Sequence, residues 1–266
     1  MTNFIFALFP DDASARAGLE VFESLHLGGD ITLFSYAIVR RGADGIPIVL
    51  ERKTAPIGSR VGALMGGTAG LFGGLAGVGI GAAAGGIIGA VLDIFNLGMS
   101  KEFLDSICKE LVPGKTAVFA EVSEELTRLA DTRIQACGGR VLREARDDFL
   151  EDAIRKRIVR LKGEVEARRA GYAVRRTEKM LQALHEAVTR SEGKLQKAAV
   201  DAARHIEQYR AESSAKLDML HQQLQSAAPE TRVRIEQRMI DLQTDQKQRL
   251  AKLQEALDFA REAMRA

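Results

Sequence analysis

The segment from Val61 to Leu92 constrains the fold more than any other part of the 266-residue chain. It contains no charged residue, and twelve of its positions are glycine. Residues four apart share one face of a helix, so glycines at that spacing form a groove that another helix can approach closely. So much glycine disfavours a helix in water by about 1 kcal/mol per site relative to alanine. In lipid the helix forms regardless, because no other conformation satisfies the backbone. We predict a membrane-embedded glycine zipper with two packing series: Gly62, Gly66, Gly70 and Gly74, then Gly77, Gly81, Gly85 and Gly89.

The length of this segment favours two membrane crossings over one. A single helix would extend about 48 Å, whereas the hydrocarbon core of a bilayer is about 30 Å thick. The two glycine series meet at Leu75–Ala76, where neighbouring glycines favour a tight turn. We therefore predict a helical hairpin over residues 57–97. The alternative is a buried low-complexity element of a soluble protein, because each arm would be only about 24 Å long.

The residues on either side of the hairpin predict one α+β domain spanning residues 1–145. Its elements follow the order β-α-β-β-[hairpin]-α-β with an extra α-β, which is the ferredoxin-like split pattern carrying an insertion. Strands before and after the insertion must join one sheet, so both ends of the insertion must lie on one side of the membrane. The predicted strands are Asn3–Phe9, Asp30–Arg40, Ile46–Arg52, Thr116–Val122 and Arg140–Arg143, and the predicted helices are 12–25, Lys101–Leu111 and Glu124–Ala136.

Basic residues beside the insertion indicate which side of the membrane holds the domain. Loops rich in lysine and arginine stay in the cytoplasm. We therefore expect both termini to be cytoplasmic, on the basis of Lys53, Arg60, Lys101 and Lys109.

Several stretches of residues 1–145 resemble a family of uncharacterised bacterial membrane proteins. The resemblance rests on NFIFALF with DDASARAGLEVF, on the turn RGADG, on VGALMGGTAGLFGGLAGVGIGAAAGGIIGAVL, and on EFLDSICKELVPGKTAVFAEV with GGRVLR. It implies a ferredoxin-like domain with a glycine-zipper hairpin in the bacterial inner membrane. It implies no catalytic residue, and it does not cover the C-terminal extension.

The second half of the chain predicts a helical coiled coil. Apolar residues recur at steps of three and four along a long helix, 146–228, and along a second helix, 229–266, that begins at Pro229. A reversal of the chain at Pro229 is favoured over a kink. Because the seam is too narrow to be buried within one helix, it needs partners, and self-association supplies them most simply. The seam is formed by Leu181, Leu184, Val188, Leu195, Leu217, Leu220, Leu224, Leu250, Leu253 and Leu257, with Val233 and Ile240 continuing it.

A basic stretch opens this helical half. A solvated face that exchanges salt bridges with its neighbours is the first interpretation, and contact with anionic lipid headgroups is the second. Nucleic acid is the least favoured partner, because no aromatic residues are interleaved. The residues are Arg155, Lys156, Arg157, Arg160, Arg168, Arg169, Arg175 and Arg176.

No motif in the chain predicts an enzyme, a cofactor or a metal site. Gly114-Lys115-Thr116 lacks both the earlier glycine and the following helix of a phosphate-binding loop. Cys108 and Cys137 have no metal-type spacing and are expected to be structural. The histidines of the helical half are too far apart in sequence to converge on one metal from one helix.

Together these patterns predict a non-enzymatic membrane protein that forms a homo-oligomer, a ring or larger, and that scaffolds, shapes or perforates the bilayer. Its partners are other copies of itself, the bilayer and anionic headgroups. Two alternatives stay open: a soluble self-assembling shell, and a ligand-sensing regulator with the zipper buried in the assembly.

Overall fold

A computed structural model describes residues 2–43, 47–53, 100–146, 149–170 and 178–265. The predicted hairpin at 57–97 lies outside these residues. The strands are β1 (Thr2–Phe9), β2 (Ile31–Arg41), β3 (Pro47–Lys53), β4 (Thr116–Glu124) and β5 (Arg140–Ala145). The helices are α1 (Asp12–Leu27), α2 (Lys101–Glu110), α3 (Thr127–Ala136), α4 (Phe149–Ala170), α5 (Glu178–Ser226) and α6 (Pro229–Arg265). This confirms an α+β fold followed by a long helical region.

The chain divides into two compact units, and both are discontinuous in sequence. Unit 1 contains Met1–Asp147 and Ala211–Gln243, and unit 2 contains Asp148–Arg210 and Thr244–Ala266. The predicted domain boundaries, at residues 145 and 228, fall at the ends of helices and strands. The boundaries of the compact units fall within α5 and α6, so each of these helices contributes to both units.

Unit 1 is built on a five-stranded antiparallel sheet with the order β3-β2-β4-β1-β5. Ile31, at the start of β2, pairs with Glu124, and Thr2, at the start of β1, pairs with Ser123. We call this the Ile31 end of the sheet. The opposite end, where β2 finishes, is the Arg41 end.

Both faces of the sheet are covered, which explains the nearly continuous apolar runs in β1, β2 and β4. On the first face, α1 and α3 pack against side chains such as Ile5, Ile38 and Val118. On the second face, α2 packs against Phe4, Phe6 and Phe119. The apolar residues alternate between these two cores because successive side chains of a strand point to opposite faces.

One predicted boundary in unit 1 is wrong. A helix was expected from Glu124, but β4 continues through this residue, which pairs with Ile31. Its buried carboxylate accepts hydrogen bonds from Asn3 Nδ2 at 3.0 Å and from Arg143 Nε at 2.6 Å. The helix begins only at Thr127. A long-range pairing therefore outweighs the helical preference of the local sequence.

Unit 2 consists of three helical segments around one core: α4, the first part of α5 and the last part of α6. Its core includes Ile158, Val165, Leu195, Ala202 and Leu253. Ion pairs define the directions of the helices. Residues of α4 pair with α6 residues one hundred positions later, so α4 and α6 are parallel: Arg155 with Glu255, Lys162 with Glu262, and Asp152 with Lys252.

The direction of α5 in unit 2 follows from both of its ends. Glu151, near the start of α4, contacts His205, whereas Arg169, near the end of α4, contacts Glu192. α5 therefore runs antiparallel to α4. Glu151 also contacts Arg249 of α6, and Arg169 donates to the Ala263 carbonyl of α6.

Candidate functional site

The eight glycines of the predicted zipper lie outside the described residues, but both flanks of the segment belong to unit 1. The described residues of β3 pair with the second half of β2, from Pro47 opposite Arg41 to Lys53 opposite Tyr36. β3 therefore runs toward the Ile31 end.

The described residues resume at Ser100, whose backbone N–H donates to Glu144 Oε2 at 3.0 Å. α2 then runs toward the Arg41 end, where Arg41 donates to Leu111 O at 2.9 Å. β3 thus runs toward the Ile31 end, and α2 begins near that end.

The predicted coiled-coil seam has partners within the chain. Leu195, Leu253 and Leu257 lie in the core of unit 2, and Leu220 lies in unit 1 against Phe34 and Ile235. Leu184 and Val188 are also buried, Leu217, Leu224 and Leu250 are half-buried, and Leu181 is exposed. A second copy is therefore not needed to cover most of this seam. Self-association stays a prediction that rests on the glycines.

Val233 and Ile240, predicted to continue the seam on α6, are exposed, whereas the buried side of α6 in unit 1 carries Ile235, Arg238 and Leu242. Arg238 lies on the buried side because it donates hydrogen bonds to Gly29 and Asp30, just before β2, and to Thr32. An apolar pattern does not reveal such contacts.

Most described members of the basic stretch make ion pairs within unit 2. Arg155 pairs with Glu255, Arg160 and Arg168 pair with Glu164, and Arg169 pairs with Glu192. Lys156 and Arg157 are exposed, and Arg175 and Arg176 lie outside the described residues. Two of these pairs lie within α4, and the other two join α4 to α6 and to α5.

In unit 1, α5 and α6 form a helical hairpin on the second face of the sheet. We use this term for residues 211–243, in which the chain reverses between Ser226 and Pro229. The hairpin covers the half of the face nearer the Ile31 end, since its α5 arm contacts Thr32 through Gln223 and Arg146 through Glu212. Phe34 packs among Leu220, Ile235 and Leu242.

A buried cluster of four charges joins the hairpin to the sheet. Glu121 of β4 accepts from Arg146 Nη1 at 2.9 Å and also binds Lys216. Glu212 binds Lys216 Nζ at 2.6 Å and Arg146 Nη2 at 3.1 Å. The Lys216 ammonium also lies 5.1 Å from the centre of the Phe34 ring.

The two positive and two negative groups of this cluster balance. Burial by itself raises the pKa of Glu212, but the charges of Arg146 and Lys216 outweigh it and hold that pKa far below its ordinary value of 4.5. Glu212 is therefore ionised at neutral pH.

A second group of polar contacts surrounds the start of β2, beyond the described residues of β3. The Ile31 carbonyl accepts from Gln223 Nε2 at 2.7 Å, and the Leu33 N–H donates to His26 Nδ1 at 3.3 Å. Just before β2, Arg238 donates to the carbonyls of Gly29 and Asp30 at 3.1 and 2.6 Å. The helical hairpin therefore supplies hydrogen-bond donors to the backbone where β2 begins.

Acidification is expected to destabilise unit 1 through His26. Burial, then the charges of Lys53 and Arg238, lowers the pKa of His26 below its ordinary 6.5. The unfolded chain therefore binds a proton at a higher pH than the folded one. This contribution to stability is complete above about pH 6.5 and is lost as the pH falls through the folded pKa.

The measurement is the urea midpoint at about pH 7.5 and about pH 5.5 for wild type and His26→Gln. We expect the variant to show the smaller decrease on acidification. His221→Gln, at an exposed position of α5, is the control and should behave as wild type. An identical decrease in wild type and His26→Gln would contradict the assignment.

Unit 2 contains its own buried polar network. Glu151 contacts His205 Nε2 at 3.2 Å and Arg249 at 3.5 Å, and Asp245 accepts from Tyr209 and Arg249, both at 2.9 Å. Burial raises the pKa of Glu151, but His205 and Arg249 outweigh it and lower that pKa overall. Because each of these polar groups has a partner, the network fixes how the helices pack.

In the described ranges, no group of three or more His, Cys, Asp or Glu side chains is arranged to hold a metal ion. Among the helices that the structure describes, none is long and apolar enough to cross a membrane. Neither statement covers the glycine-rich segment.

Residues 57–159 match the family model for a protein of unknown function (DUF1269). The match spans less than half of the chain, and it contains the glycine-rich segment, α2, β4, α3, β5 and the start of α4. It supports the predicted likeness to an uncharacterised family. Curated proteins and solved structures give no match.

Sequence reasoning missed the buried charge cluster, although one signal for it was present. Glu121 interrupts the apolar run of β4, on the same face as Ala117 and Phe119. A carboxylate in a buried strand requires a charged partner. The sequence could not indicate that Lys216, 95 residues later, supplies one.

Proposed function

We propose that this chain is a non-enzymatic membrane protein that self-assembles through its glycine-rich segment and scaffolds, shapes or perforates the bilayer. The observation that carries the proposal is a charge-free segment, 61–92, whose two flanks are tied to one folded unit. Since Lys53 and Ser100 are both held by the same sheet, the segment must start and finish on one side of any membrane it enters. The predicted membrane hairpin at 57–97 meets that condition, and a single membrane crossing does not.

We also propose that the sheet is a ferredoxin-like arrangement. The strands β1, β2, β4 and β5, with α1 and α3 on one face, have the spatial order β5-β1-β4-β2, which corresponds to the split βαβ pattern. In this interpretation β3 and α2 belong to the insertion with the glycine-rich segment. The insertion then lies between the second and third strands of the pattern.

Self-assembly rests mainly on the glycines in this proposal, because unit 1 and unit 2 bury most of the leucine seam internally. Small residues at a spacing of four let helices approach closely in lipid. Helices from neighbouring copies would pack along the two glycine series. A cytoplasmic position of unit 1 and unit 2, in the bacterial inner membrane, follows from Lys53 and Lys101 beside the segment.

The test separates membrane insertion from assembly. Membranes from cells that express the chain are extracted first with alkaline carbonate and then with detergent, and the released protein is weighed by mass photometry. We expect wild type to resist carbonate and to give one large species in detergent. A variant with a Gly/Ser linker in place of 61–92 should keep its folded units and lose membrane retention. The linker must span the sheet, roughly 20 Å for five strands.

A second variant replaces Gly66, Gly70, Gly81 and Gly85 by leucine. It fills both grooves and keeps the segment apolar, so it should stay in the membrane but release as a monomer. Leucine at Gly163 and Gly193, which face open space in unit 2, is the matched control and should leave the assembly unchanged. A large species in plain buffer would contradict membrane insertion and favour a soluble shell. A wild-type monomer in detergent would contradict assembly.

A further inference from the structure

The most exposed large apolar side chains of the described residues gather at one end of unit 1. Leu27 is 83% exposed, Val233 71% and Leu126 62%. Leu27 ends α1 just before β2, and Leu126 follows β4. Since Ile31 at the start of β2 pairs with Glu124 at the end of β4, these two leucines lie at the same end of the sheet.

Val233 lies at the same end, because its neighbours in α6 contact the residues just before β2. A Cβ added to Gly29 would lie 2.9 Å from Thr231, and Arg234 pairs with Asp30 at 3.2 Å. Arg238 links all three positions, because it donates to Gly29 O and lies 3.3 Å from Glu125, the neighbour of Leu126. We call Leu27, Leu126 and Val233 the apolar tip.

The apolar tip lies at the Ile31 end, toward which β3 runs and from which α2 runs away. Exposed Arg128 and Arg232 lie within two residues of Leu126 and Val233. Apolar side chains flanked by arginine suit the boundary between anionic headgroups and acyl chains.

We propose that the apolar tip contacts the surface of an anionic bilayer, so that unit 1 stands on the membrane with its Ile31 end down. This inference rests on the proposed membrane function and adds the face that touches lipid. It also gives a partner to the three most exposed large apolar side chains of the described residues.

The test uses the full chain, reconstituted in vesicles of phosphatidylcholine and phosphatidylglycerol. Cys108 and Cys137 are replaced by serine, and an environment-sensitive fluorophore is attached to Leu27→Cys, Leu126→Cys or Val233→Cys. Val112→Cys is the matched control, because Val112 is an exposed apolar residue (44%) beside the Arg41 end. Vesicles then receive lipids with a spin label near the glycerol end of the acyl chain.

We expect a blue shift and strong quenching at the three tip positions and neither effect at Val112. Equal quenching at all four positions, or at none, in protein that floats with the vesicles would overturn the proposal and leave the membrane function standing. A blue shift that the spin-labelled lipid does not quench would mean that another protein copy covers the tip, and it would also overturn the proposal. Protein that does not float with the vesicles at all would contradict the proposed function itself.

Discussion

Replacing Lys216 by methionine is expected to destabilise unit 1 by about 3–5 kcal/mol, because it removes one partner from a buried ionic cluster. The Lys216 side chain is 2% exposed and binds both Glu121 and Glu212. Methionine keeps much of the apolar stem but leaves two carboxylates with one guanidinium, that of Arg146. Urea unfolding measured by circular dichroism gives the change, and hydrogen exchange in residues 211–226 locates it.

Two further variants show whether charge is the cause. Lys197→Met, at an exposed position of α5, should change stability by no more than about 0.5 kcal/mol. Adding Glu212→Gln to Lys216→Met restores electrical balance and should recover part of the loss.

The pH dependence gives an independent check on the Lys216→Met variant. In this variant Glu121 and Glu212 share one guanidinium, so we expect the pKa of one of the two carboxyl groups to rise above its value in the wild type. The destabilisation should therefore shrink as the pH falls toward that raised pKa. A loss that is independent of pH, with no recovery in the double variant, would mean that packing and not charge explains it.

Substitutions at Phe9 and Gly18 are expected to have strongly non-additive effects on the free energy of unfolding. Phe9 is buried, and a Cβ added to Gly18 would overlap the end of its ring and lie 2.8 Å from both Cε atoms. Phe9→Ala should cost about 3–5 kcal/mol through the cavity it leaves. Gly18→Leu should cost about 1–3 kcal/mol through overpacking. In the double variant the leucine fills the space of the lost ring, so the loss should be clearly smaller than the sum.

The matched control for this pair is Gly193→Leu on α5. A Cβ there meets no atom within 4 Å, so the substitution should stabilise the helix by about 0.5–1 kcal/mol. Thermal unfolding of the four variants and the wild type gives the comparison. Additive losses for Phe9→Ala and Gly18→Leu would show that the two positions do not share one space.

Local patterns were enough to predict most elements of unit 1. Alternation and apolar runs located the five strands, and the spacing of Ala15, Leu19 and Phe22 placed one face of α1 against the sheet. The strand order was not predictable in the same way. β4 lies between β1 and β2, and no local pattern states which strands will become neighbours.

The candidate site was harder to predict, because its parts are far apart in sequence. The leucine spacing of α5 and α6 correctly indicated buried stripes, but a stripe does not identify what covers it. A leucine stripe covered by a second copy and one covered by another part of the same chain have the same apolar spacing in the sequence. Thr32, Gln223 and Arg238 are polar residues at buried positions, so an apolar periodicity could not include them.

Unit 1 is discontinuous in sequence, so its parts leave the ribosome at different times. β4, which lies between β1 and β2, is translated only after residues 54–99, so the sheet cannot close before that segment has been synthesised. The helical hairpin of residues 211–243 is translated later still. Roughly one hundred residues separate β5 from the end of this hairpin, and their synthesis takes about 5–20 s at ordinary elongation rates. During that interval Phe34 and Glu121 lack the side chains that cover them in the folded unit.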